Sequence, residues 1–492
     1  MALSTTDDVA AATDLRPREA VAQPARSAPF LVLATIIVGG TLLLPLAMML
    51  GAASIARLLY PVYALALVLL VLARWPASYP AVCLGVSAFA PFLRRIADFH
   101  AGFQLTSPVL LAPLVVLLPT LLALLRRILT PGGALSGAFA VMTACISYGA
   151  VLALVEGKLI QGLYEPAWWL LPPALAAYVI ERRAEVDAIR RSVIWALLII
   201  LPIITVYGVI QFASPAAWDI VWMLNVDNAT FGRPAPYEVR VFSMLNSPGI
   251  CAVFVAYAMI LLSGEGILGL LVSMATLPLL MLTLLRAGWV AFAIGVLTTI
   301  LLARTVQRVR LAVALAAGVF LATGLLASTL VPVTVTNLLT DRVGSLFALG
   351  TDASASDRRD TYASFFDRLA ISPMGEGFGA NGSATSAAQK RDLPALDSGI
   401  LETYLTLGIP VGTIYFGSLV VIVLAAWRGL LASDRSLANY FALVCAVVAI
   451  TPLGLSHVGE AAPIQWIAVG ILVSAWLNRA ADPSRYPVNN LA

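Results

Sequence analysis

GILGLLVSMATLPLLMLTLLRAGWVAFAIGVLTTILLA, from Gly266 to Ala303, decides the class of this chain. It runs 38 residues with one charge, Arg286. As a single helix it would extend about 57 Å at 1.5 Å per residue, roughly twice the thickness of the hydrocarbon core. The run is therefore expected to fold back as a hairpin turning near Arg286-Ala287-Gly288. The rest of the chain has the same character: of its 492 residues, 60% are hydrophobic and 11% charged, and the mean hydropathy is +0.93. Soluble domains carry about 25% charged residues. Apolar runs near 20 residues long recur at 30–50, 57–74, 78–93, 107–125, 135–155, 166–181, 192–213, 247–263, 266–284, 287–303, 310–330, 399–427, 437–455 and 462–478. The expectation is an all-α polytopic membrane protein with about fourteen transmembrane helices (12–14) embedded in a lipid bilayer.

Arginines in short loops orient such a chain, because cytoplasmic loops are enriched in Lys and Arg. Arg126-Arg127, the group Arg182, Arg183, Arg190 and Arg191, then Arg304, Arg308 and Arg310, and finally Arg428 and Arg435 all fall on the side of both termini when fourteen spans are counted. That side is expected to be cytoplasmic. The polar residues 1–28, which lack a cleavable signal pattern, and 479–492 read as tails, and the segments 29–330 and 399–478 as the helical membrane part. The loops 94–106, 156–165, 214–246, the Arg286 turn, 331–398 and 456–461 then face outward, which in a bacterial inner membrane is the periplasm. A net charge of +4, with the basic residues set between spans, gives no reason to expect a nucleic-acid partner. Cys83, Cys145, Cys251 and Cys445 sit singly in apolar runs and read as small buried hydrophobes.

The chain is polar for long only between Val331 and Ser398. A helix is expected there from Ser356 to Ile371, with Tyr362, Phe365, Phe366 and Leu369 forming an apolar stripe, Ser356 or Asp357 capping the start, and Pro373 ending it. GEGFGANG, Gly375 to Gly382, has neither the preceding strand nor the following Lys-Ser/Thr helix of a phosphate loop, so it reads as a flexible turn returning the chain to the membrane.

The residues able to carry chemistry are external. Arg286, flanked by Leu284-Leu285 and Trp289-Val290, needs an anionic partner, a wet cavity or a snorkelling path to the surface. Arg233 and Arg240 lie in FGRPAPYEVRVFSMLNSPG, and Arg358-Arg359 open the loop helix. Arginines converging on the outer leaflet suit a diphosphate, which they bind through paired, charge-assisted hydrogen bonds. Asp397, Glu402 and Glu376 are the carboxylates nearest the glycine turn. Asp397 is the plainest candidate for a general base, or else the N-cap of the following helix. His100 and His457 have no partner at ligand spacing, and no motif points to a metal.

Several of these stretches, in this order, resemble the O-antigen ligase and polymerase family of bacterial polysaccharide assembly. Arg240-Val241-Phe242 with Asn246-Ser247-Pro248 is similar to its Arg-x-Phe segment before a span, and Thr283-Leu284-Leu285-Arg286-Ala287-Gly288 matches its Thr-x-Ser-Arg-Gly turn in part, with Leu285 where a small polar residue stands. SPMGEGFG from Ser372 resembles its His/Ser-Pro-x-x-Gly-x-Gly-x-Gly element, and DSGILETYLTLGIPVG from Asp397 its closing element. The resemblance covers roughly Arg240 to Gly412. It implies a helical membrane fold of the GT-C-like type shared with lipid-dependent glycosyltransferases, no metal or other cofactor, and Arg240 and Arg286 on the diphosphate of an undecaprenyl-diphosphate-linked oligosaccharide. Other polysaccharide assembly proteins would be partners. The ligase branch carries a histidine in the closing element; Asp397 in its place looks more like the polymerase branch. The expected activity is thus transfer of glycan from the carrier lipid to a sugar hydroxyl of another lipid-linked repeat. The alternatives are ligation to lipid A core, a lipid-linked glycan flippase, and a non-catalytic scaffold.

Overall fold

A computed structural model describes residues 46–130, 133–226, 229–326, 365–379, 398–453 and 458–482, together with 337, 340 and 344. All its regular elements among these residues are helices, and the extended pairing is one isolated antiparallel bridge between Gly232 and Val239. In chain order they are α1 (Ala53–Arg74), α2 (Tyr79–Ala101), α3 (Ala112–Leu117), α4 (Thr120–Leu129), α5 (Ala134–Val155), α6 (Leu159–Glu181), α7 (Val186–Ala213) and α8 (Ala217–Asn225). They continue as α9 (Pro248–Ser263), α10 (Gly266–Leu282), α11 (Arg286–Leu302), α12 (Thr305–Leu326), the short helix α13 (365–371), α14 (Gly399–Ala432), α15 (Ala438–Ile450) and α16 (Ala462–Ala481).

Six helical stretches are long and apolar enough to cross a membrane: Met48–Arg74, Pro76–Ala101, Ala134–Val155, Arg183–Ala213, Gly399–Ala432 and Ala462–Ala481. The pair Pro108–Leu117 and Thr120–Leu129, bent by 42°, makes a seventh if counted as one span. The sequence count of fourteen is higher, and part of the difference is length. The run Gly266–Ala303 does break into a hairpin, between Leu282 and Arg286, but into helices of 17 residues each. That is about 26 Å at helical rise, just short of the hydrocarbon core. The expected first span, 30–50, lies almost wholly outside the described residues.

The helices bury against each other through small residues, which let backbones approach where no water is available to drive association. A Cβ placed on Gly429 of α14 would lie 1.9 Å from the carbonyl oxygen of Leu472 in α16. Any side chain there would therefore force the two helices apart.

The loops sort into two ends. At one end the basic loops tie to one another: Arg126 to Glu181 at 2.7 Å, Arg190 to Glu265 at 2.9 Å, Arg304 to Asp434, and the Asn478 amide to the Arg183 carbonyl at 3.0 Å. The other end gathers the loops after α2, α5, α7 and α10 with the segment 372–379 and the start of α14.

Candidate functional site

At that second end the loop between α8 and α9 is folded back on itself. The Arg240 amide donates to the Phe231 carbonyl at 2.8 Å, and the next amide, Val241, donates to the Leu282 carbonyl at 3.0 Å. This last bond joins the Arg240 segment to the last turn of α10, three residues before the Leu285-Arg286 start of α11. The two arginine-bearing segments, remote in sequence, are thus neighbours, and both side chains are half-buried. Tyr237, Ser243 and Leu284 in these turns have φ of 65°, 50° and 55°. Left-handed backbone is disfavoured for any side chain, most of all a bulky one such as Leu284, and is retained where the surroundings over-determine it.

A buried polar network supplies that constraint. Gln211 of α7 accepts from the amides of Phe242 at 3.1 Å and Ser243 at 2.8 Å, and its own amide donates to Asp219 at 2.8 Å. Asp219 also accepts from the Tyr207 hydroxyl at 2.7 Å and pairs with Arg95 at 3.3 Å. Arg95 donates to the Ser243 carbonyl and lies 4.6 Å over the Phe242 ring. Both ions are sealed, Arg95 at 1% and Asp219 at 0% exposure. Charges withdrawn from water in this way persist only when each is paired and hydrogen-bonded, so the network fixes the backbone that carries Arg240.

One residue earlier on α2, Arg94 has its own set of partners. It pairs with Asp98 at 3.3 Å, donates to the carbonyls of Gln104 at 2.8 Å and Leu105 at 2.9 Å, and stacks 4.4 Å over Trp222. Arg57 of α1 joins Asp98 at 3.0 Å and closes on the Gly102 carbonyl at 2.7 Å. The loop expected at 94–106 is therefore largely helix, α2 running to Ala101.

The segment 372–379 is docked rather than loose. The Glu376 and Gly377 amides donate to the Leu405 and Thr406 carbonyls at 2.7 and 3.1 Å, Phe378 to Gly149 at 3.2 Å, and Ile409 back to Pro373 at 2.9 Å. This backbone fills a break in α14 at Gly408, where φ is 76° and ψ 173°. A Cβ on Gly375, whose φ is 91°, would lie 2.5 Å from the Gly408 nitrogen. Gly375 and Gly377 are thus explained by backbone lying against backbone. Phe378 anchors the segment edge-on to Trp169, centroids 5.3 Å apart. In α13, Phe365 of the expected stripe is buried against Leu401 and Leu405, whereas Phe366 is 63% exposed.

Of the expected site residues, Arg240 and Arg286 lie on segments joined by the bond from the Val241 amide to the Leu282 carbonyl. Arg233 is exposed and, among the described residues, pairs with Glu238 at 3.5 Å. Glu376 is committed to Arg368 (3.2 Å from Nε), which makes it a tie between α13 and the docked segment. Glu402 is half-buried in the first turn of α14, within electrostatic reach of Glu165. The cap of α14 is Ser398, whose hydroxyl accepts from the Leu401 amide at 3.5 Å. Asp397, Arg358, Arg359 and His457 lie outside the described residues. His100 is exposed beside Phe99. Among the described residues no three His, Cys, Asp or Glu side chains gather as a metal site would require.

Four groups that sequence reasoning passed over belong to this end: Arg95 with Asp219, Arg94 with Asp98, Glu165 and Glu460. Glu165 lies ahead of the apolar run 166–181, and its Oε2 accepts from the Gly379 amide at 2.7 Å. Burial raises its affinity for a proton, opposed by that amide and by Lys158. Glu460, just before α16, is pushed up to about 7 by burial, with Arg94 pulling the other way. The signal for the first two pairs was present in the sequence: Arg94 and Asp98 stand four apart, adjacent to Arg95, at the end of an apolar run. No protein-family model matches the chain, and no curated protein or solved structure is significantly similar to it.

Proposed function

We propose that this chain is a metal-independent membrane glycosyltransferase of bacterial surface polysaccharide assembly. It transfers a glycan from undecaprenyl diphosphate to a sugar hydroxyl of another lipid-linked repeat, at the periplasmic face of the inner membrane. The observation that carries the reading is the bond from the Val241 amide to the Leu282 carbonyl, which makes neighbours of the Arg240 and Arg286 segments. Two guanidinium groups on a constrained backbone suit the two phosphates of a carrier lipid and the charge that grows on them as the glycosyl bond breaks. The family resemblance rests on the same two segments and on the docked glycine element. The reading keeps the fourteen spans and cytoplasmic termini expected from hydropathy and loop charge, and the resemblance adds a GT-C-like architecture.

A flippase would use broken helices to line an ion or substrate path. The break at Gly408 is filled instead by the backbone of Met374 and Gly375, which favours the enzyme. A deletion strain tests the reading. Surface polysaccharide reduced to single capped repeats supports a polymerase; long chains stranded on the carrier lipid would instead mean a ligase to lipid A core; undisturbed polysaccharide would refute both.

A further inference from the structure

Resting on that reading, we propose that Glu165 is the catalytic base, its Oε1 accepting the proton of the acceptor sugar's hydroxyl while its Oε2 is held by the Gly379 amide. Oε1 is buried and has no hydrogen-bond partner among the described residues, although Oε2 of the same carboxylate is fixed at 2.7 Å. A buried carboxylate oxygen left without a donor costs free energy unless something else supplies one. The acceptor hydroxyl is a donor of the right kind.

The position fits the rest of the site. Glu165 lies where the end of the docked segment, the first turns of α6 and the start of α14 meet, with Lys158 and Glu402 within electrostatic reach. Its neighbour Tyr164 lies within electrostatic reach of both Glu460 and Arg94. Arg94 adjoins Arg95, which donates to Ser243 in the Arg240 loop. The Gly379 bond also makes the docked segment part of the base: seating it orients the carboxylate, so water is excluded and the proton acceptor is set together.

The step balances within the groups named. The acceptor oxygen forms its bond to the anomeric carbon as the bond from that carbon to the phosphate oxygen breaks. The electron pair leaves with undecaprenyl diphosphate, whose charge Arg240 and Arg286 hold, and the hydroxyl proton passes to Oε1 of Glu165. No redox partner is involved.

Glu165→Gln is the test, because the Gln carbonyl can still accept from the Gly379 amide but cannot take a proton. Purified full-length wild type and variant are given lipid-linked repeats extracted from the deletion strain, and elongation is followed on gels. Melting temperature and binding of undecaprenyl diphosphate itself are measured in parallel. A fall in kcat of about 100-fold or more, the usual contribution of a positioned base, with melting and binding unchanged, is expected. Elongation within about tenfold of wild type would overturn the assignment of Glu165 and leave the polymerase reading standing. Wild type that fails to elongate would overturn both.

Discussion

Replacing Asp219 by Asn tests whether the arginine loop is held by a buried charge. The substitution keeps the shape and one acceptor oxygen but removes the negative charge that faces Arg95 at 3.3 Å. With Arg95 at 1% and Asp219 at 0% exposure, water cannot replace the missing partner. Breaking a buried pair from one side costs about 3–5 kcal/mol. At about 2–4 °C per kcal/mol for mid-sized domains, less for a larger chain, this is a drop in Tm on the order of 5 °C. Arg95→Met should cost a similar amount, and the double variant less than the sum, since the second change removes a charge the first left stranded; a coupling of about 1–3 kcal/mol is expected. The assay is intrinsic tryptophan fluorescence on heating, in detergent or nanodiscs, together with binding of undecaprenyl diphosphate, because the loss should loosen the Arg240 loop. Strict additivity, or an Asp219→Asn protein with unchanged melting, would refute the argument that the ion pair constrains the loop.

The other elements make sharper local predictions. Gly375→Ala must force a side chain into backbone 2.5 Å away at a φ of 91°. It should release the docked segment and open residues 372–379 to protease, and protection equal to wild type would contradict the docking. For Glu460, the folded pKa of about 7 stands above the ordinary 4.5. Its stabilising contribution is therefore present below about 4.5 and lost as pH rises through about 7. Glu460→Gln should flatten the fall in melting temperature between pH 5 and 8, and parallel slopes would refute the shift. Arg233→Ala, which breaks an exposed pair worth about 0–1 kcal/mol, should leave stability and elongation near wild type, unlike Arg240→Ala.

The helical class was legible because composition admits little else. The hairpin in Gly266–Ala303 followed from length alone, and the break falls within a few residues of the arginine that suggested it. Arg286 was singled out because a guanidinium in apolar surroundings stands out in a sequence, and Arg240 because its loop resembles the family's Arg-x-Phe segment. Arg94 and Arg95 were just as visible but were assigned to a loop, because the apolar run ends before them while the helix continues to Ala101. Asp219 and Gln211 could not have been recognised. A single Asp and a single Gln in separate elements gain meaning only when folding brings them to one backbone loop. The glycine element was read as a flexible turn because its partner, the break at Gly408, lies in a stretch that reads as an unbroken apolar helix. Glu165 was hidden by its place beside an apolar run, and its role rests on an amide from a segment more than two hundred residues away.

The central claim is that the Arg240 and Arg286 segments hold a carrier-lipid diphosphate during glycan transfer. Purified protein supplied only with lipid-linked repeats tests it most directly. Wild type should lengthen them without added metal, and Arg286→Ala, still folded and membrane-embedded, should not. Normal polymer from Arg286→Ala, or none from wild type, would contradict the account.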